Sequence, residues 1–211
     1  SENVPDIELP VHPYLLGVIL GDGGVYTSGS VMYCKPDTFI GDEIMRLEPR
    51  LTVTNHADGK SHTVSDPLKK DGRSAIFRGF EELGLVGKRS WEKFIPKQYL
   101  NASTEQRLLL LQGLMDTDGT VEKKGSMEYS TTSYQLAKDA QELCWSLGGI
   151  CKVKPRQTYY THNGQRLPGR TSYRVRMRFA EPKKAFRLPR KKDLCPDTSK
   201  WKDIFKLYIT K

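Results

Sequence analysis

Two stretches of the chain share one hydrophobic pattern. Leu15-Leu16-Gly17-Val18-Ile19-Leu20-Gly21-Asp22-Gly23 and Leu111-Gln112-Gly113-Leu114-Met115-Asp116-Thr117-Asp118-Gly119 are apolar runs of helical length. Each carries a small residue at every fourth position, Gly17 and Gly21 in the first, Gly113 and Thr117 in the second. Residues four apart share a helix face, so each run presents a shallow stripe. Two such stripes can meet backbone to backbone through van der Waals contact, and both runs are too short to span a bilayer. The pattern predicts two helices packed against each other at the centre of the molecule, Pro13 to Asp22 and Thr104 to Asp118, the second capped by Ser103 or Thr104.

Elsewhere the period changes. Val25 to Lys35, broken at Ser28-Gly29-Ser30, reads as a hairpin; so do Leu51–Asn55 and His62–Asp66 around Ala57-Asp58-Gly59-Lys60. Phe39, Ile40, Ile44 and Leu47 mark a helix capped by Asp37, and Ile76, Phe77, Phe80 and Leu83 mark another. After a lysine-rich join the order recurs. Thr120–Glu122 and Met127–Thr131 form a hairpin; a helix follows Ser133 with Leu136, Ala140, Leu143, Cys144 and Leu147 inward. Ile150–Thr161 and Thr171–Phe179 form a long hairpin with His162-Asn163-Gly164 at its tip and a tip loop over residues 161–170, and Lys184–Leu188 a short helix. Trp201–Ile209 fits no single period. The prediction is an α+β fold of two pseudo-symmetric αββαββα subdomains, residues 1–100 and 101–211, packed through the paired helices.

Asp22 and Asp118 then fall at helix C-termini, where the macrodipole disfavours a negative charge by about 0.3–1 kcal/mol each. Side by side they also disfavour each other's ionisation. A single Asp-Gly pair makes an ordinary turn after a helix. Two copies on the same small-residue face point instead to a shared cation, and hard oxygen ligands suit Mg²⁺. A calcium loop is excluded, because Gly119 comes too early and Met127 stands where the terminal Glu belongs.

Both stretches resemble the signature of the LAGLIDADG homing endonucleases. The second is close to consensus; the first departs from it at Leu20 and Gly21 but keeps the final acid and glycine. The two acids are 96 residues apart, which suits a single-chain, two-motif member. Trp91-Glu92-Lys93-Phe94-Ile95-Pro96 and Gln106-Arg107 are similar to homing endonuclease domains embedded in inteins. The resemblance implies antiparallel sheets forming a DNA-binding saddle, and Mg²⁺ held by Asp22 and Asp118 with carbonyls of Gly21 and Thr117, Ca²⁺ or Mn²⁺ substituting in binding or cleavage. It implies a lysine in each half near the scissile groups: Lys93 in the first, Lys192 or Lys191 in the second. A protein-splicing role is not expected, since the chain lacks a terminal His-Asn.

Charge adds a partner. A formal +9 and a pI near 9.3 point to a polyanion. Along the last hairpin Arg174, Arg176 and Arg178 alternate with Tyr173, Val175, Met177 and Phe179, and Lys152, Lys154 and Arg156 alternate with Cys151, Val153 and Pro155. One face is oily and the other cationic, and a two-stranded ribbon fits the major groove. Six like charges repel without a partner, which favours double-stranded DNA over a merely solvated face. Thr52, Thr54 and Thr63 give the first half a neutral polar face, so the target should not be a palindrome. Gln165 and Arg166 would extend the footprint, and Lys123 with Lys124 would meet phosphates. Tyr159 and Tyr160 suit packing or stacking.

Four scattered cysteines suggest free buried thiols in a reducing compartment. The acidic, proline-containing start does not read as a signal peptide. The expected protein is an intracellular monomer without membrane contact, a Mg²⁺-dependent endonuclease cutting both strands of a long site. The alternative is a DNA-binding regulator or RNA maturase on the same fold that does not cut.

Overall fold

The computed structural model describes residues 4–122 and 126–196. Helix α1 (Pro13–Asp22) begins at a proline, whose missing N–H costs nothing there, and His12 Nδ1 accepts the Tyr14 N–H at 3.2 Å. Next come β1 (Gly23–Val25), β2 (Val31–Cys34), α2 (Phe39–Leu47), β3 (Thr52–Asn55) and β4 (Ser61–Ser65). A short ribbon of β5 (Lys69–Lys70) and β6 (Arg73–Ser74) leads to α3 (Ala75–Glu82), and α4 (Lys97–Leu100) lies in the join. Helix α5 (Thr104–Asp118) opens with a capping box: Ser103 Oγ accepts from Gln106 N at 3.1 Å, and Gln106 Oε1 accepts from Ser103 N at 3.2 Å. Then follow β7 (Thr120–Val121), β8 (Met127–Thr131), α6 (Tyr134–Ser146), β9 (Ile150–His162), β10 (Gln165–Arg178) and α7 (Pro189–Asp193).

The two four-stranded sheets have one topology, β1-β2-β4-β3 and β7-β8-β10-β9, antiparallel throughout. The αββαββα repeat is therefore the observed architecture. A single hydrophobic core runs through both halves, from Val11 to Cys195. Helix α1 is buried on every side from Pro13 to Leu20, as a helix at the middle of a core must be. Its contact with α5 is as close as the small residues allow. A methyl group at Gly17 would overlap the Leu110 carbonyl, one at Gly113 the Tyr14 carbonyl, and one at Gly21 the Thr117 side chain. Thr117 turns its hydroxyl back onto its own helix, donating to Gly113 O or Leu114 O, each at 3.0 Å.

Some expectations shift. Residues 161–170 are not a loop: the strands continue to a two-residue turn at Asn163-Gly164, both left-handed (φ 48° and 76°). Polar side chains conceal a strand that is wet on both faces. A register shift between Pro168 and Thr171 interrupts the ladder. The short helix expected at Lys184–Leu188 is replaced by a 3-10 turn at Pro182–Ala185 and by α7, each started by a proline. Cys144 and Cys195 are buried and Cys151 half-buried, but Cys34 is exposed at the outward end of β2. Lys123, Lys124 and Trp201–Ile209 lie outside the described residues.

Candidate active site and nucleic-acid interface

Because α1 and α5 pair along their small residues, their C-terminal ends coincide. Lys35 Nζ lies 2.8 Å from Asp22 Oδ2 and 3.0 Å from Asp118 Oδ1. The two carboxylates, one from each half, thus meet at a single amine. Sequence reasoning missed Lys35. It follows β2, and its carbonyl accepts a hydrogen bond from buried His62, whose ring stacks on Tyr33. Burial lowers the Lys35 amine, but the contacts with Asp22 and Asp118 more than offset this and hold it above the usual lysine value. Burial pushes the Asp118 carboxyl up, Lys35 offsets this only partly, and Asp22 adds to the rise.

The lysines expected near the scissile groups occupy a different kind of place. Lys93 Nζ is buried and donates to the carbonyls of Ile19 (2.8 Å), Leu20 (3.1 Å) and Gly23 (2.7 Å). Its counterpart is Lys191, not Lys192. Lys191 Nζ is likewise buried against Met115 O (2.7 Å), Asp116 O (2.8 Å), Thr117 O (3.3 Å) and Gly119 O (2.6 Å). Each amine gathers the carbonyls a helix end leaves without partners, and its charge complements the negative end of the dipole. Both therefore fix the helix ends that present Asp22 and Asp118. Desolvation lowers each to about 8. Lys192, one residue further round α7, is half-buried and makes no such contact.

Asp116 and Asp118, two apart on α5, face different ways. Asp116 is wholly buried and accepts from Tyr14 OH (2.9 Å), Arg187 N (3.1 Å) and Leu188 N (3.1 Å), with burial pushing its carboxyl up. Arg187 also donates to Gln112 Oε1 at 3.1 Å and to Glu43 of α2, so this network ties the two halves together. Asp118 reaches the open end of the seam. A cleft of about 660 Å³ begins beside Asp22, bordered by Met32, Cys34, Ser61, Arg89 and Lys93.

Two carboxylates on separate helices, beside helix-end carbonyls, make a hard oxygen set that suits Mg²⁺. Among the described residues no group of three or more His, Cys, Asp or Glu could hold a metal, so a cation here would draw further ligands from water, carbonyls or substrate. The expected carbonyl of Thr117 is shared with Lys191.

The register puts the long ribbon's cations on one face: Arg174 opposite Lys154, Arg176 opposite Lys152, and Arg156 opposite Ser172. Val175 and Met177 are buried on the other face. The cations are not without partners. Glu128 on β8 contacts Arg174 at 3.2 Å and Arg176 at 3.0 Å, and Glu122 contacts Arg176 at 3.5 Å. Repulsion among them is thus partly relieved inside the protein, which weakens the argument drawn from six like charges. Arg166 lies over the Tyr159 ring at 4.3 Å, beside Gln165 at the ribbon's tip. In the first sheet Thr52 stands opposite Ser65 and Thr54 opposite Thr63, giving the neutral polar face expected. Among the described residues no helix is long and apolar enough to cross a membrane.

The two halves thus repeat one αββαββα unit, joined along a glycine-lined helix pair that ends in two facing aspartates. Residues 105–186, the greater part of the second half, match the family model of the LAGLIDADG-like domain. It is 34% identical over 192 residues to the replicative DNA helicase DnaB of Mycobacterium intracellulare, which covers 90% of this chain and 27% of that protein. It is 30% identical over 149 residues to the protein RecA of Mycobacterium tuberculosis, covering 65% of this chain and 18% of that one. The chain therefore spans about a quarter or less of these relatives. Among solved structures it is similar to mesophilic variants of the homing endonuclease I-DmoI (TM-score 0.48, 14% identity, 83% of this chain and 92% of that one). It is also similar to an I-DmoI variant in complex with its target DNA in the presence of Mn (TM-score 0.46, 13% identity, 88% and 97%).

Proposed function

We propose that the protein is a site-specific double-strand DNA endonuclease that acts as an intracellular monomer and requires a divalent cation, Mg²⁺ in the cell. The observation that carries this reading is the meeting of Asp22 and Asp118 at the end of the α1–α5 seam. Asp22 and Asp118 would hold the cation, with the carbonyls of Gly21 and Thr117 nearby. Such a cation activates water and neutralises charge on a leaving oxygen. The chain's own residues do the rest. Lys93 and Lys191 hold the two helix ends rigid, so that the acids keep one spacing. Lys35 bridges the acids and supplies a positive charge at the end of the seam. The long ribbon, the first sheet's threonines and Lys123 bind duplex DNA, one half of a non-palindromic site to each subdomain, 1–100 and 101–211. One segment similar to parts of both the replicative DNA helicase DnaB and the protein RecA, at under a third of either length, suits a mobile insert carried in different hosts.

A second reading, a DNA-binding regulator or RNA maturase that does not cut, gains from one observation. Lys35 already offsets the cost of placing two acids together, so a protein that only binds could keep both. Selection of cleaved sites from a randomised duplex library in Mg²⁺ tests the choice. The endonuclease reading expects cut products with wild type and none with Asp118→Asn, at unchanged DNA affinity. Specific binding without any cutting by wild type would establish the second.

A further inference from the structure

We infer that Glu128 is a positioning residue for sequence readout: it aims Arg174 and Arg176 at guanine edges in the major groove. The inference rests on the DNA-binding reading above. Glu128 stands directly opposite Arg176, and its neighbour Ser130 opposite Arg174. Glu128 Oε2 accepts from Arg176 Nε at 3.0 Å, and Oε1 faces Arg174 Nε at 3.2 Å. The acid's side chain is 14% exposed, the arginines' 31% and 45%, so the carboxylate lies beneath and the cations above. A guanidinium held by Nε keeps its two terminal nitrogens, the planar fork that pairs with guanine O6 and N7. In Arg176 one of these also has the 3.5 Å contact with Glu122, which makes Arg174 the more open reader.

An acid at the centre of a surface that meets phosphates weakens general attraction to DNA. What it supplies is orientation: two long side chains are fixed before binding rather than during it. Two residues along a strand advance about 7 Å, or about two base-pair steps at 3.4 Å each. With the ribbon lying along the groove, the geometry calls for guanines two steps apart in the half-site facing β10.

The test selects bound duplexes from a randomised library with wild type, Glu128→Gln and Arg174→Lys, each checked for folding by thermal melting. Affinity for bulk competitor DNA is measured alongside. Wild type should enrich two guanines at that spacing. Glu128→Gln should lose the preference by about tenfold while binding bulk DNA several-fold more tightly and with a steeper salt dependence. Arg174→Lys keeps the charge but lacks the fork, and should lose one guanine from the preference; if the glutamine variant does not fold, Glu128→Ala takes its place with the same expected outcome. An unchanged preference with tighter bulk binding, or a uniform loss of binding to all DNA, overturns the inference. A wild type that binds no duplex DNA would overturn the underlying reading instead.

Discussion

Helices α1 and α5 end alike. Each closes on an aspartate followed by glycine, and each has its last carbonyls gathered by a buried lysine from late in that half, Lys93 or Lys191. The second hairpins of the two sheets differ. β3 and β4 run for 4 and 5 residues and present hydroxyls; β9 and β10 run for 13 and 14 and present cations. The same fold therefore holds a nearly symmetric seam under an unsymmetric surface. For the endonuclease proposed above, two strands of a duplex pose the same bond-breaking problem twice, whereas the base edges on either side of a non-palindromic site pose two different recognition problems. Each part of the molecule would then have the symmetry of its task.

The largest effect should come from the seam. Asp22→Asn and Asp118→Asn should each lower cation-dependent double-strand cutting by about 10³-fold or more, equally in both halves; normal cutting by either would break the symmetry. Asp118→Asn should also melt higher. Burial raises this carboxyl, so its ionised form costs folding energy at neutral pH, a cost the neutral amide avoids; a thermal melt at pH 7 checks it. Next, Gly113→Val should lose about 3 kcal/mol in urea unfolding, because its side chain meets backbone of α1; Gly17→Val should match it.

The surfaces should respond unequally. Arg174→Ala and Arg176→Ala should each weaken specific binding by about 1–3 kcal/mol, against less than about 1 kcal/mol for Thr52→Ala or Thr54→Ala, as read by fluorescence anisotropy. Six phosphate contacts give a log–log salt slope of about −5. Changing Lys152, Lys154 and Arg156 together to Gln should flatten it by about 3, and a slope that does not move would shift the contact surface elsewhere. The smallest effect concerns pH. Burial lowers Lys93 to about 8 from 10.5, so between these values the unfolded chain holds a proton that the folded chain has released. This group's contribution to stability therefore rises with pH across that window, and Lys93→Met should lack that rise in a pH series of urea unfolding.

Much of this was legible in the sequence, since small residues at every fourth position fix the helix pair and alternation fixes the longer strands. The paired acids followed from the motif's repetition. Lys35 did not, because nothing near it in sequence carries a signal; only the path of β2 beside both helix ends brings it to Asp22 and Asp118. Lys191 and Lys192 are adjacent, and only the burial of one face of α7 separates them. Short elements such as β5, β6 and α4 are decided by tertiary contacts rather than by period. Glu128 was hidden because an acid in a short strand reads as ordinary solvation.

The join between the halves is stitched on both sides. Its backbone is held by the second half: Lys93 O accepts from Ser133 Oγ at 2.6 Å and Ile95 N donates to Asp139 at 2.8 Å, while Trp91 lies 3.6 Å from the Arg170 guanidinium. Its lysine side chain reaches back to α1 of the first half. Anyone recombining halves of this chain with those of similar proteins must therefore let residues 89–96 travel with the second. A crossover placed after them would leave the incoming half without its fastening, however well the glycine stripes matched.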